Sequence, residues 1–290
     1  MAPHALFFQA LVNRFDKDKK EELLKVLPEE VRAQLAEADS TSSNWAALLP
    51  TSPEWLFHLH YSWLIDPLKQ LPKPLILLAA TALSEESRER LKELNLLPTE
   101  IKQKVTLAES SRNAFASNLL HQIFPDKNIV PKEWLPHTPL DPLLACSKGE
   151  LVLLADLLAM FDLSEEIRTL VDKKMISAIA RELTPSQQKY LKVCLHQKSK
   201  VVVNPLNAKE LYKESKKFKN ILHARGLKRL AQALSGLPFD FCWHIAHTLD
   251  IGRGKIVLEH YEKEAIPLAT QVMQLQTAQI VQLIKGKAKL

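Results

Sequence analysis

The chain has 290 residues, a net charge of +6, 46% apolar and 25% charged residues, and six glycines, none before Gly149. That balance suits a folded protein with a sizeable core and excludes a disordered or collagen-like chain. So little glycine argues against hairpin-rich sheets and glycine-cradled nucleotide sites, which need positive-φ turns, and predicts an all-α fold.

In chain order, Leu6, Phe7, Ala10, Leu11 and Phe15 repeat at the spacing of one helical face. A second helix is predicted over Glu21–Leu27. Pro28 starts another in Leu27-Pro28-Glu29-Glu30-Val31, and Leu97-Pro98-Thr99-Glu100-Ile101 repeats that start. Asp39–Asn44 (DSTSSN) reads as a loop. Residues 55-WLFHLHYSWLI-65 are apolar on most sides and predict a central helix opened by Pro53, with His58 and His60 structural. Leu71-Pro72-Lys73-Pro74 is a further helix start, and Ser84-Glu85-Glu86-Ser87 caps the next.

Pro125–Pro142 holds five prolines and forms a strap that blocks helix. Beyond it, helices are predicted over Glu150–Phe161, Ser164–Val171, Lys173–Leu183, Gln187–His196 (capped by Thr184-Pro185), Asn207–His223, Lys228–Leu234 and Phe239–Leu249. Val201–Val203 is strand-like but too short to build a sheet. Gly236 with Pro238 ends one helix, and Gly252 and Gly254 stop another. The tail from Pro267 to Ile284 has an apolar stripe at Ala269, Val272, Met273, Ile280, Leu283 and Ile284. It is either a lid on the core or an exposed docking helix.

The expected organisation is an N-terminal helical domain over 1–124, a proline-rich linker over 125–142, a basic C-terminal helical domain over 143–264 and a tail helix over 265–290. Charge divides with it. Residues 1–124 carry a net −2 and residues 143–290 a net +9, so the second half is expected to face something acidic. Cys146, Cys194 and Cys242 are read as reduced thiols of a cytoplasmic protein. No apolar run is long enough to cross a membrane, and Met1-Ala-Pro-His carries no basic leader.

Candidate chemistry is sparse. Gly252-Arg253-Gly254-Lys255 lacks the spacing, the following Ser or Thr and the preceding strand of a phosphate loop, and reads as a helix C-terminus with basic neighbours. Cys242, His244, His247 and His260 lack the tight paired spacing of zinc sites. No hydrolase or metalloprotease motif is present. The expectation is a protein that is not an enzyme and has no cofactor, metal or small-molecule substrate. The strongest feature is Lys198–Arg229, with ten Lys/Arg against two Glu. Its candidate partner-binding residues are Lys213, Lys216, Lys217, Lys219, Arg225, Lys228 and Arg229. An acidic protein surface is the favoured partner, and nucleic-acid phosphates contacted by 198–229 are the alternative.

Three stretches carry a resemblance. Phe8–Leu35 (FQALVNRFDKDKKEELLKVLPEEVRAQL) resembles the short amphipathic helices of the flagellar switch family FliG, joined by Leu-Pro-Glu starts. Gly149–Leu195 resembles the helical repeats of that family's middle and C-terminal parts. Gly226–Gly254 (GLKRLAQALSGLPFDFCWHIAHTLDIGRG) looks like the closing region of a FliG-like component of type III secretion loci, in the place of the sorting-platform adaptor SctK. The resemblance implies two packed multi-helix, armadillo/FliG-like domains. It also implies a cytosolic adaptor that links the inner-membrane ring to the pod protein and the ATPase stator, held peripherally at the membrane by those partners. It assigns no individual residue a role.

Overall fold

The structure is a computed structural model and describes residues 59–97, 135–197, 206 and 208–287, with isolated positions at 25, 29, 32, 130 and 132. Every regular element among the described residues is helical. The readings at Leu6–Phe15, Glu21–Leu27, Pro28, Asp39–Asn44, Pro53, Pro98 and Val201–Val203 lie outside them. The chain divides into two compact units, one of Met1–Phe57 and Asp66–Trp134, the other of His58–Ile65 and Leu135–Leu290.

In the first unit, α1 (Ile65–Gln70), α2 (Lys73–Ala82) and α3 (Glu85–Glu93) follow in close succession. Prolines 72 and 74 start α2 where their missing N–H groups cost nothing. Ser84 caps α3 by accepting the Ser87 N–H, with Glu85 and Glu86 in the first turn and Arg90 and Lys92 in the last. Charges so placed oppose the helix dipole at both ends. Asn95 then takes a left-handed φ of 56°, and the N–H groups of Leu96 and Leu97 fold back to the Leu91 carbonyl.

The second unit is built around α4 (Lys148–Arg168). Ser147 and Glu150 form a capping box at its start. Every residue from Leu157 to Ser164 is buried, the mark of a helix surrounded by other helices. The sequence predicts two helices here, and the structure corrects this to one. Ser164 does not interrupt, because its hydroxyl donates to the Phe161 carbonyl at 2.7 Å inside the same helix. α5 (Lys173–Arg181) and α6 (Pro185–His196) follow, α6 opened by a capping box of Thr184 and Gln187. Arg168 donates to the Cys194 and Leu195 carbonyls at 2.7 and 3.2 Å, so the end of α4 caps the end of α6.

After α7 (Ala208–Leu211) comes α8 (Ser215–Leu234), which packs along α4. The expected break between His223 and Lys228 is absent, and the helix runs straight through Gly226. A Cβ at Gly226 would lie 1.8 Å from the Ala155 carbonyl oxygen, so glycine here permits contact between two backbones and ends nothing. At this crossing Arg229 is 1% exposed. It donates to Asp162 and, at 2.5 Å, to the Gln276 amide oxygen, and lies 5.4 Å from the Phe161 ring centroid. Among the described residues the second carboxylate oxygen of Asp162 has no hydrogen-bond partner, and Arg225 Nε lies 3.7 Å away. Burial pushes the Asp162 carboxyl up, and the Arg229 and Arg225 guanidiniums offset part of that.

α9 (Phe239–Thr248) and α10 (Ile251–His260) form a tight pair. Gly236 at φ +80° and Pro238 make the preceding stop. Gly252 and Gly254, expected to stop a helix, lie inside the first turns of α10. Asp250 caps that helix by accepting the Arg253 N–H. A Cβ at Gly254 would meet the Ala246 carbonyl oxygen at 2.4 Å and the Trp63 ring at 2.6 Å, so this glycine also serves packing.

The predicted 55–65 helix is corrected as well. Leu59 and His60 are not helical, and Tyr61–Trp63 forms one 3₁₀ turn. The competing pull is tertiary. The His60 N–H donates to the His247 carbonyl at 2.9 Å, and the Trp63 indole to the Leu249 carbonyl at 2.9 Å. The His247 ring is held between Trp63 and Trp243, with centroids at 4.1 and 3.9 Å. Finally α11 (Ala269–Lys287) lies against α4 and α8. Met273, Ile280 and Ile284 are buried while Leu275 and Leu283 are 65% and 40% exposed. The tail helix therefore covers core and leaves Leu275 and Leu283 partly in solvent.

Two single substitutions and one double replacement test the crossing of α8 and α4. Gly226→Ala forces α8 off α4 and is expected to cost about 3 kcal/mol or more, read as a lowered urea midpoint with an unchanged slope. Asp162→Ala strands a buried guanidinium and is expected to cost about 3–5 kcal/mol. The double replacement Asp162→Leu with Arg229→Met is expected to recover most of that loss in the same measurement.

Candidate partner-binding surface

The basic run of the sequence is split by the fold. Lys213 sits in the turn before α8, and Lys216, Lys217 and Lys219 stand on its first two turns, all four exposed. Lys217 pairs with Glu214 at 3.4 Å and Lys219 with Glu182 at 3.7 Å. No described acidic side chain lies within ion-pair distance of Lys213, Lys216 or Lys228. The first turn of α8 holds no acidic residue, and Glu214 makes no side-chain cap. These lysines thus stand at the positive end of a helix dipole, where cations are disfavoured. Their field and that of the helix end add.

The other three candidates separate. Lys228 is half-buried. Arg225 is half-buried beside Asp162. Arg229 is enclosed, so its expected place on a docking surface is corrected. From Phe218 onward the buried face of α8 widens until Leu230, Ala231, Ala233 and Leu234 are all in the core, and the guanidinium at 229 meets Asp162, Gln276 and the Phe161 ring.

A polar seam that composition does not single out runs across the second unit. Asp156 accepts from His223 Nδ1 at 2.7 Å, and Arg253 Nε donates to His223 Nε2 at 2.8 Å. Arg253 also donates to Asp250, which lies 3.6 Å from Lys148 Nζ. Lys148 donates to His60 Nε2 at 2.8 Å. His60 Nδ1 bonds Ser62 Oγ at 2.9 Å, and that oxygen accepts the Ile251 N–H at 2.9 Å. The seam joins α4, α8, α10 and the turn at Tyr61–Trp63. Each group in it is occupied by its neighbours. Burial raises the Asp250 carboxyl, but the hydrogen bonds and charge of Arg253, with Lys148, outweigh it and hold that carboxyl below its usual range.

The remaining sequence candidates fall elsewhere. Gly252-Arg253-Gly254-Lys255 opens α10 and is not a helix C-terminus, and the N-terminal position there is filled by Asp250. Among the described residues no group of three His, Cys, Asp or Glu is arranged to hold a metal ion. His244 and His247 are each 3% exposed, and His260 Nδ1 donates to the Ile256 carbonyl at 2.9 Å. The three cysteines are buried free thiols. Burial pushes Cys146 up, and Cys194 up to about 12, so these sulfurs are protonated at neutral pH and inert as nucleophiles. No described helix is long and apolar enough to cross a membrane.

Comparison with known proteins adds no relative: no family model, no curated protein and no solved structure matches this chain.

The Asp250 carboxylate gives a signed prediction. Its folded pKa is depressed, so its stabilisation is complete above the unfolded value of about 4 and is lost as pH falls through the folded one. Asp250→Asn is expected to lower stability at pH 7 by about 0.5–1 kcal/mol, allowing for screening at the partly exposed Arg253. Wild type and variant should draw together in urea melts as pH falls below about 4.

Proposed function

We propose that this chain is a non-enzymatic helical adaptor that works by surface fit and charge, docking an acidic protein surface through Lys213, Lys216, Lys217 and Lys219. The observation that carries the reading is the gathering of these exposed lysines at the positive end of α8, against the helix's own electrostatic preference. The polar groups of the interior serve packing: Arg229 and Asp162 join α8 to α4, and the seam through His223 and Lys148 joins α10 to α4.

In its setting the adaptor is a component of a type III secretion sorting platform, linking the cytoplasmic domain of the inner-membrane ring to the pod protein and the ATPase stator. This part of the proposal rests on the resemblance of Phe8–Leu35, Gly149–Leu195 and Gly226–Gly254 to FliG-like and SctK-like proteins. It carries with it two armadillo/FliG-like domains and a cytoplasmic location, peripheral at the inner membrane through partners. The alternative, a phosphate track along 198–229, is weakened because Arg225 and Arg229 face Asp162.

The test is joint charge reversal, Lys213→Glu, Lys216→Glu, Lys217→Glu and Lys219→Glu, with affinity for the purified ring domain and stator measured by interferometry. About tenfold weaker binding and a flattened salt dependence are expected. Unchanged affinity removes this surface. Salt-steep binding of the wild-type chain to duplex DNA or RNA favours the alternative.

A further inference from the structure

A second surface lies away from the lysines. Between α6 and α11 an apolar trough opens over α4, with a cavity of about 210 Å³. Leu153 and Leu157 line it from α4, Val193 from α6, and Leu283 and Ile284 from α11. Val193 and Leu283 are 47% and 40% exposed at its lips. The volume is below the roughly 300–1,000 Å³ of small-molecule sites. It suits a few aliphatic side chains entering from a helix laid along the trough.

The charge on the α6 side has one sign. Neither α6 nor α11 contains a single Asp or Glu, and α6 carries Lys189 and Lys192, while Lys285 of α11 turns away to the Ala145 carbonyl at 3.4 Å. Lys189 is itself a lining residue. The acid one turn before Leu153, Glu150, is held in the capping box with Ser147 and faces Lys285.

The geometry points to a docking groove between α6 and α11 for an amphipathic helix of a partner protein, with aliphatic residues on its inner face and Asp or Glu on the flank that meets α6. Apolar contact supplies the holding force, and Lys189 with Lys192 selects the sign of that flank. A helix with basic flanks is repelled by the same lysines. This inference stands apart from the proposed lysine surface, because it uses different helices and a different kind of contact.

The experiment uses the full chain and two labelled peptides, followed by fluorescence anisotropy. Both carry Leu at i, i+3, i+4 and i+7 of one helix face. One has Glu flanks and its twin has Lys flanks. The Glu-flanked peptide is expected to bind saturably and the twin at least about tenfold more weakly. Val193→Glu and Leu283→Glu should each weaken the Glu-flanked peptide about tenfold or more. Val193→Ser and Leu283→Gln, checked by circular dichroism, serve if the charged variants unfold. The quadruple reversal at Lys213, Lys216, Lys217 and Lys219 should leave peptide affinity unchanged. Loss of that control with Val193→Ser silent would assign the binding to α8 and overturn the groove. No binding, or equal binding of the twin, also overturns it. So does self-association of the wild-type chain that Val193→Glu abolishes, which would make the occupant a second copy.

Discussion

The second unit depends on how closely α8 can approach α4. Two helices normally keep their axes about 8–10 Å apart because side chains stand between them. At Gly226 nothing stands between, and the Ala155 carbonyl occupies the space a Cβ would need. The close crossing brings Arg229 and Asp162 together where water is absent. A buried ion pair of this kind adds little net stability, since desolvation offsets its attraction. It is intolerant of misplacement, however, because either partner alone would be a stranded charge. Close approach and charge pairing therefore fix one register between the two longest helices of the unit's core. Gln276 extends that register to α11.

The other half of the unit is assembled differently. Trp63 reaches α9 and α10 from a position far earlier in the chain, and its indole N–H takes the Leu249 carbonyl at the end of α9. Gly254 leaves room for that ring, and His247 is stacked between two indoles. The seam from Asp156 through His223, Arg253, Asp250 and Lys148 to His60 then holds the turn at Tyr61–Trp63 against α4 and α10. These groups bond or pair with one another in sequence, from Asp156 to His60. Such a network specifies packing more than chemistry.

Function follows from what the core does not absorb. Of the basic residues on α8, the early ones stand in solvent and the late ones are drawn inward. Among the described Lys and Arg residues of the basic run, the lysines at the positive helix end are the ones that stand exposed. The trough between α6 and α11 is the apolar counterpart, walled by helices without a negative charge. Both surfaces fit a molecule that is held by shape and sign.

Much of this was legible in the chain itself. Caps such as Ser84 before Glu85 and Thr184 with Gln187, proline starts at 72, 74 and 185, and the stop at Gly236 are local, because each concerns a few adjacent residues and the orphan N–H and C=O groups of one helix end. Helical class, the start of α6 and the apolar character of α4 came from such signals. What only the tertiary structure decided is what long-range partners decide. The stretch between His223 and Lys228 reads locally as a break, and Gly252 and Gly254 as a stop, yet Gly226 and Gly254 serve close contact with Ala155 and with Trp63. The 55–65 run reads as helix, yet His247 and Leu249 claim its donors. Arg229 reads as surface charge, yet Asp162 and Gln276 lie across the crossing. A residue's spacing along the chain reports its own helix, whereas burial and pairing depend on what another helix brings within a few ångströms.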